Sequence, residues 1–422
     1  MPTKKLILLI ICWLKCSFCE EDSSNFTLVF KWNIIDYEWP TKETRSQYLN
    51  ESKFVPQNCY IRDFKIWKKT VFVSLPRWKP GVPATLARFP IGPSFLPTSP
   101  ALQPYPSWSM QIFEDCFSLQ SAHAIDIDAK GQLWVLDSGF VEEFVTNRTV
   151  CPPKLVVFNL QTNFIVKHVI IPTEVLVNNS VLTTMALDKD HQRVFIADSS
   201  YFSSGFIIYD GVTGTFKRYT CEQLSPDESS SNINYVPLYI LPEFVSIALN
   251  TDHNKLYFST ADSSDLFYVN TSVFTMNKDD VSDLITDLGS NGRSTKLISD
   301  SKGYMYFNIV NKKAVVQWRE SSWVYHYSPH VVIKNKLIRH WISSLDVDED
   351  GYLWIMSSRF HDYSNNIFKM EKDNIRIFRL FVPRQEKPRK PKSGFVAEYL
   401  ALVLFIAIIG LIITEILMFN SV

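Results

Sequence analysis

Glycine is scarce, 13 in 422 residues, and net charge is absent, with 43 Lys and Arg against 43 Asp and Glu. The chain also lacks a Gly-rich phosphate loop, a G-x-S-x-G elbow and an H-E-x-x-H pair, which argues against nucleotide enzymes, α/β-hydrolases and zinc proteases. Its eight His are scattered, and His326 and His330 sit on a segment broken by Pro329, so neither a metal site nor a cofactor is expected. Without a basic surplus the chain is not built to coat nucleic acid, and 14% aromatic residues exclude disorder. Helical periodicity is missing too: almost no stretch of more than ten residues shows it.

Apolar runs are confined to the two ends. Lys4 and Lys5 precede the run Leu6 to Leu14, and Ser17 and Cys19 occupy small-residue positions before Glu20, the pattern of a secretory signal peptide over residues 1–19. A signal anchor is the alternative, but a run this short, interrupted by Lys15, falls well below the roughly 20 residues a membrane span requires. Residues 399–419 are apolar apart from the late Glu415 and long enough to cross a bilayer, while residues 384–398 form a basic stalk. The expected arrangement is a lumenal or extracellular body, residues 20–383, on a single-pass membrane helix in the secretory pathway or at the cell surface. The stalk charges run against the positive-inside tendency, but translocation of a large folded domain responds poorly to local charge. A lipid anchor replacing the tail lacks the polar spacer after Ser393 and Gly394.

Four cysteines remain after the signal, an even number in an oxidising compartment. Cys116 with Cys151 is the easier pair, leaving Cys59 with Cys221, although three pairings are open. N-x-S/T sequons at Asn25, Asn50, Asn147, Asn178 and Asn270 mark expected surface glycosylation.

Six segments repeat one form: a short apolar strand, a polar turn, then a strand bearing an aromatic anchor. The anchors Phe72, Trp134, Phe195, Tyr257, Tyr306 and Trp354 stand 62, 61, 62, 49 and 48 residues apart. That period is one propeller blade, so the fold expected is all-β, a six-bladed β-propeller with a C-terminal transmembrane helix; a pair of β-sandwiches fits six regular units less well. Third strands are read at 84–89, 154–158, 205–209, 265–268, 314–318 and 366–370, with looser fourth strands such as 164–171 and 375–381. A strand left over at 26–32 is positioned in sequence to close the ring against the last blade, hiding an edge that would otherwise stick.

The blocks Arg77-Trp78-x-x-Gly81-Val82-Pro83-Ala84-Thr85-Leu86, Pro104-Tyr105-Pro106-Ser107-Trp108, Leu133-Trp134-Val135-Leu136-Asp137-Ser138-Gly139, Cys151-Pro152-Pro153-Lys154-Leu155 and Ala197-Asp198-Ser199 resemble the major royal jelly protein/yellow family of insects. The resemblance implies a secreted, glycosylated six-bladed propeller. It also implies roles in cuticle and pigment, conversion of dopachrome, binding of biogenic amines, or storage. A membrane tail sets this chain apart from the commoner secreted form and disfavours storage.

Aligning the repeats places Tyr60, His123, Thr183, Val245, Thr295 and Ser343 at equivalent positions at the channel mouth, with Ala124, Thr184, Ser246, Lys296 and Ser344 beside them. The expected ring is small and hydroxylic, with one imidazole and no crowd of carboxylates, which suits an amine or catechol better than calcium. His123 is the one acid or base expected there, with a hydrogen-bonded structural role as its alternative. Recurrent Asp137 and Asp198 read as turn or inter-blade acceptors. Phe360 either walls a pocket or belongs to the core. Taking away the eight basic and three acidic residues outside 20–383 leaves 35 against 40, a mildly acidic body that favours cations. The expectation is a tethered extracellular propeller binding a small aromatic ligand, a biogenic amine or catechol, or a protein partner in cuticle, pigmentation or egg-covering formation. Alternatives are a dopachrome isomerase of melanin synthesis and a structural matrix protein.

Overall fold

Each repeat starts as a hairpin, and in blades two, five and six its turn is tied to the aromatic anchor. In blade two the Asp128 carboxylate accepts from the N–H groups of Lys130 (2.9 Å) and Gln132 (3.0 Å) and from the Trp134 indole N–H (3.0 Å). Asp348 likewise accepts from the Tyr352 N–H (2.8 Å) and the Trp354 indole (2.7 Å), and Asp300 from the Tyr304 N–H (3.0 Å) and the Tyr306 hydroxyl (3.2 Å). Gly131, Gly303 and Gly351 supply the left-handed turn residue between them, with φ of 72°, 84° and 85°. The shared spacing is Asp-x-x-Gly-x-x-Trp/Tyr, so the few glycines of the chain are spent on turns.

The computed structural model describes residues 26–93, 96–146, 148–188, 190–200, 203–225, 245–290, 292–320, 329–335, 337–338 and 341–382. The expected signal peptide, Asn25, Asn147, the basic stalk and the apolar segment 399–419 lie outside them. Among the described residues no helix is long and apolar enough to cross a membrane. The chain divides after Phe381 into two units, of which the first contains every blade.

Six four-stranded antiparallel sheets follow in order. Blade one is Asp63–Trp67, Thr70–Ser74, Leu86–Pro90 and Gln103–Pro104; blade two is Ala122–Ile127, Gln132–Asp137, Lys154–Asn159 and Ile165–Ile170. Blade three is Leu182–Asp188, Arg193–Asp198, Gly205–Asp210 and Thr215–Thr220, and blade four is Ser246–Leu249, Lys255–Ser259, Asp265–Asn270 and Thr286–Ser290. Blade five is Leu297–Ser299, Tyr304–Ile309, Ala314–Arg319 and His330–Lys334. Blade six takes Trp341–Val347, Tyr352–Ser358 and Ile375–Phe381 from the C-terminal repeat, and Phe26–Trp32 from the other end of the chain as its outermost strand. First strands of successive blades stand beside one another all the way round, six against one included.

Burial follows from this arrangement. A middle strand such as Lys154–Asn159 faces a neighbouring blade on each side and is buried almost throughout, whereas the outer Ile165–Ile170 is half exposed. The closing strand pairs antiparallel from Phe26 with Leu380 to Trp32 with Ile375, as the sequence suggests, with one register shift between Leu28 and Phe30, and its Phe30 and Trp32 rings meet Phe89 of blade one edge-on at 4.9 and 5.3 Å. The expected third strand at 366–370 is not a strand. The segment from 375 takes that place, and the connection before it holds the short helix Phe360–Ser364. With the N-terminal strand filling the outer position, blade six needs only three strands from its own repeat.

Cys116 and Cys151 form a disulfide closing a 35-residue separation, which contributes about 3 to 4 kcal/mol in the chain-entropy account. It crosses beneath Gly139, where a side chain would run into the Cys151 carbonyl at 2.0 Å. Cys59 and Cys221 are not joined. They are buried free thiols in separate cores, Cys59 among the residues of blades one and six and Cys221 among those of blades three and four, and burial pushes both up to about 12. Asn50, Asn178 and Asn270 are exposed.

Candidate functional site

One face of the ring is where each first strand starts and each second strand ends. Its loops are held by a repeated acceptor. Asp137, fully buried, accepts from the N–H groups of Gln120 (2.7 Å), Ser121 (2.8 Å) and Gly139 (3.0 Å) and pairs with Lys154 Nζ at 3.0 Å. Asp198 accepts from the Val181 N–H (2.8 Å), the Ser180 hydroxyl (2.6 Å) and Arg218 Nη1 (2.8 Å). In blade five the Asn308 amide oxygen takes the Thr295 and Lys296 N–H groups, both at 3.0 Å. The recurrence of Asp137 and Asp198 is therefore architectural.

The Arg77-Trp78 block builds the floor of this face. Arg77 donates to five backbone carbonyls, those of Val82 (3.0 Å), Leu119 (2.9 Å), Gln120 (2.6 Å), Pro83 (3.2 Å) and Gln111 (2.8 Å). Its planar fork matches that diverging set, and burial lowers its pKa only to about 10, leaving it charged. Beside it Trp78 stacks on Phe144 at 4.8 Å, and Phe360 lies edge-on to Trp78 at 5.8 Å and to Tyr60 at 5.2 Å. Tyr60 in turn stacks on Tyr363 at 4.9 Å, and Trp341 covers Phe360 at 4.9 Å. Phe360 is fully buried and belongs to this packed cluster; it does not wall an open pocket.

His123 lies at the edge of the rings, 6.0 Å from Trp78, with Nε2 3.0 Å from Glu143 Oε1 and 3.3 Å from the Ser121 hydroxyl. Glu143 reaches it because its loop docks on the Arg77-Trp78 backbone through the Glu142 N–H (2.6 Å) and the Phe144 N–H (3.2 Å). The Tyr60 hydroxyl bonds Ser343 and, at 2.6 Å, Ser358, and burial raises its pKa despite those partners.

The other ring positions divide by role. Ser246 accepts from the Leu297 N–H at 2.8 Å and Thr295 donates to the Ile342 carbonyl at 2.7 Å, so both staple one blade to the next. The hydroxyls of Thr183 and Ser259, on the adjoining blades three and four, are buried and have no hydrogen-bond partner among the described residues. Tyr60, His123, Ser343 and Phe360 thus meet around one aromatic cluster, whereas Ser246 and Thr295 are committed to blade contacts.

Further along the first strands the channel is charged, contrary to the small hydroxylic ring expected. Asp63 pairs with Lys296 at 3.0 Å and accepts from the Ser344 hydroxyl. Lys65 lies between Asp126 (3.2 Å) and Asp346 (3.3 Å), and Arg62 donates to the His123 carbonyl at 2.9 Å. Burial pushes Asp63 up, but Lys296, Lys65, the Ser344 hydroxyl and Arg62 together hold it below the ordinary aspartate value. Asp346 stays above its ordinary value because burial prevails: its one cation, Lys65, is shared with Asp126. Three acids and three bases plug the channel. Among the described residues no three His, Cys, Asp or Glu side chains are placed to hold a metal ion.

Solved structures similar to the chain include a luciferin-regenerating enzyme, 10% identical, covering 84% of this chain and 94% of that one with a TM-score of 0.43. Sequence relatives are nearer. Major royal jelly protein 9 of Apis mellifera is 27% identical over 420 residues, 93% of this chain and 97% of that protein. Major royal jelly protein 1 of the same organism is 28% identical over 411 residues, 89% and 93% of the two chains. The family model described as Major royal jelly protein matches residues 120–390, which takes in blades two to five whole and the three C-terminal strands of blade six, and the chain belongs to the major royal jelly protein/yellow family.

Proposed function

We propose that the protein is an extracellular, membrane-tethered propeller that binds a small cationic aromatic, a biogenic amine or catecholamine, at the face bounded by Tyr60, Trp78, His123 and Phe144. The observation that carries this reading is the buried His123–Glu143 pair at the edge of a ring cluster. Glu143 offers a carboxylate to an ammonium, Phe144, backed by the buried Trp78, offers a ring, and both Glu143 and Phe144 are partly open to solvent. In cuticle, pigment or egg covering, such a site would hold an aromatic precursor near the cell surface.

Calorimetry of the full chain against dopamine and serotonin is expected to give saturable heat, weakened about tenfold by Glu143→Gln. No heat at about 1 mM of either amine would sink the binding reading. The same imidazole–carboxylate pair supports a second reading, tautomerisation of dopachrome, in which His123 takes a proton from one carbon and returns it elsewhere. Loss of dopachrome absorbance abolished by His123→Ala favours that reading, and a rate no higher than buffer removes it.

Tethering rests on the apolar run at 399–419, and the Cys116–Cys151 bond suits an oxidising compartment. The full chain is expected in the membrane pellet after alkaline carbonate, and a chain ending at residue 392 in the medium. Equal release of both refutes the tether.

A further inference from the structure

Beyond the channel face, a cavity of about 360 Å³ opens beside the blade-six connection, lined by Gln57, Asn58, Lys79, Asn366, Phe368 and Met370. Its size falls within the range of small-ligand sites. Lys79 is 95% buried, yet its ammonium borders this space. Nζ donates to the Tyr363 carbonyl and, at 2.7 Å, to the Asn366 side-chain oxygen, and it stands 4.1 Å from the centroid of the Tyr363 ring. Those contacts use two of its three N–H donors. None of them carries a full negative charge, and Lys79 forms no ion pair among the described residues.

A buried cation without a counter-charge is costly, and a fold that keeps one commonly pairs it with something. Burial brings Lys79 down to about 8, so it remains largely protonated at neutral pH and still seeks an anion. The rest of the lining indicates what kind. Phe368 is half-buried and Met370 is 57% exposed, an apolar side that a bare inorganic ion would leave uncovered. A single lysine with carboxamides suits one monovalent acceptor; a phosphate calls for several cations or a fork of donors.

We propose that this cavity binds a small carboxylate with an apolar body, the carboxylate paired with Lys79 and the body lying against Phe368 and Met370. The site is lined by different residues from the channel face and takes the opposite charge. Tyr363 belongs to both, its ring stacked on Tyr60 and its carbonyl bonded to Lys79, so each site constrains the other's wall.

The test is calorimetry of the full chain with benzoate, benzamide and inorganic phosphate. Benzoate is expected to bind saturably and at least about tenfold more tightly than benzamide, with phosphate no better than benzamide. Lys79→Met keeps the apolar stem, removes the charge, and should abolish the preference of benzoate over benzamide; Phe368→Ala should weaken both. Equal affinity for benzoate and benzamide, phosphate binding as tightly as benzoate, or a Lys79→Met chain that keeps the benzoate preference would each overturn the proposal. If Lys79→Met does not fold, the three-ligand comparison on the unaltered chain decides alone.

Discussion

Arg77→Met is expected to prevent accumulation of folded protein. Replacing the guanidinium strands the carbonyls of Val82, Pro83, Gln111, Leu119 and Gln120 in an interior that water does not reach. Each buried acceptor left unsatisfied costs about 1 to 3 kcal/mol. Even with the desolvation cost of the lost charge returned, the sum approaches the roughly 5 to 15 kcal/mol by which a domain is stable. Arg77→Lys should fall between, because an ammonium has three donors at one point and cannot reach five diverging oxygens. The measurement is the urea midpoint of purified protein, with the order wild type above Lys above Met. A Met variant with an unchanged midpoint would show that these carbonyls find other donors.

Removing the strand Phe26–Trp32 should have an effect of similar size by a different route. Its loss uncovers the edge of Ile375–Phe381 and withdraws Phe30 and Trp32 from the core between blades six and one. A bare strand edge pairs with other chains, so the truncated protein is expected in aggregates during size-exclusion chromatography. Phe30→Ala gives the graded version: about 3 to 5 kcal/mol lost, with the protein still monomeric. A truncated chain that runs as a monomer with an unshifted thermal midpoint would mean that three strands suffice in blade six.

What was legible in the sequence was whatever repeats locally. The aromatic anchors, the Lys130-Gly131 and Asp350-Gly351 turns and the acceptors Asp137 and Asp198 recur within one blade, so spacing alone exposes them. The closing strand was legible as a remainder, a strand with no repeat of its own. The channel charges were not. Asp63 meets Lys296 across 233 positions and Lys65 meets Asp346 across 281, contacts that exist only once the ring has closed. The aligned positions instead fall at the beginnings of the first strands or just before them and are hydroxylic in four of six, which suggests a ring without carboxylates. Glu143 lies in a connection outside the repeated blade strands, so spacing does not single it out. Lys79, two residues on from Arg77, owes its partners to a helix 284 positions away. Cys59 and Cys221 were paired on the even count of cysteines, and that count carries no information about which core each one enters. At 366–370 the short apolar stretch Ile367-Phe368 resembles the other third strands, but the place beside Tyr352–Ser358 is taken by Ile375–Phe381.

The closing strand also sets a schedule for synthesis. It leaves the ribosome before any blade exists, and its partner at Ile375 follows roughly 350 residues later, a delay of about 20 to 70 s at ordinary translation rates. Throughout that interval five and a half blades can fold in succession while Leu28, Phe30 and Trp32 stay unpaired. The last blade cannot be completed until translation reaches the end of the domain, so the first segment made is the last to be built in.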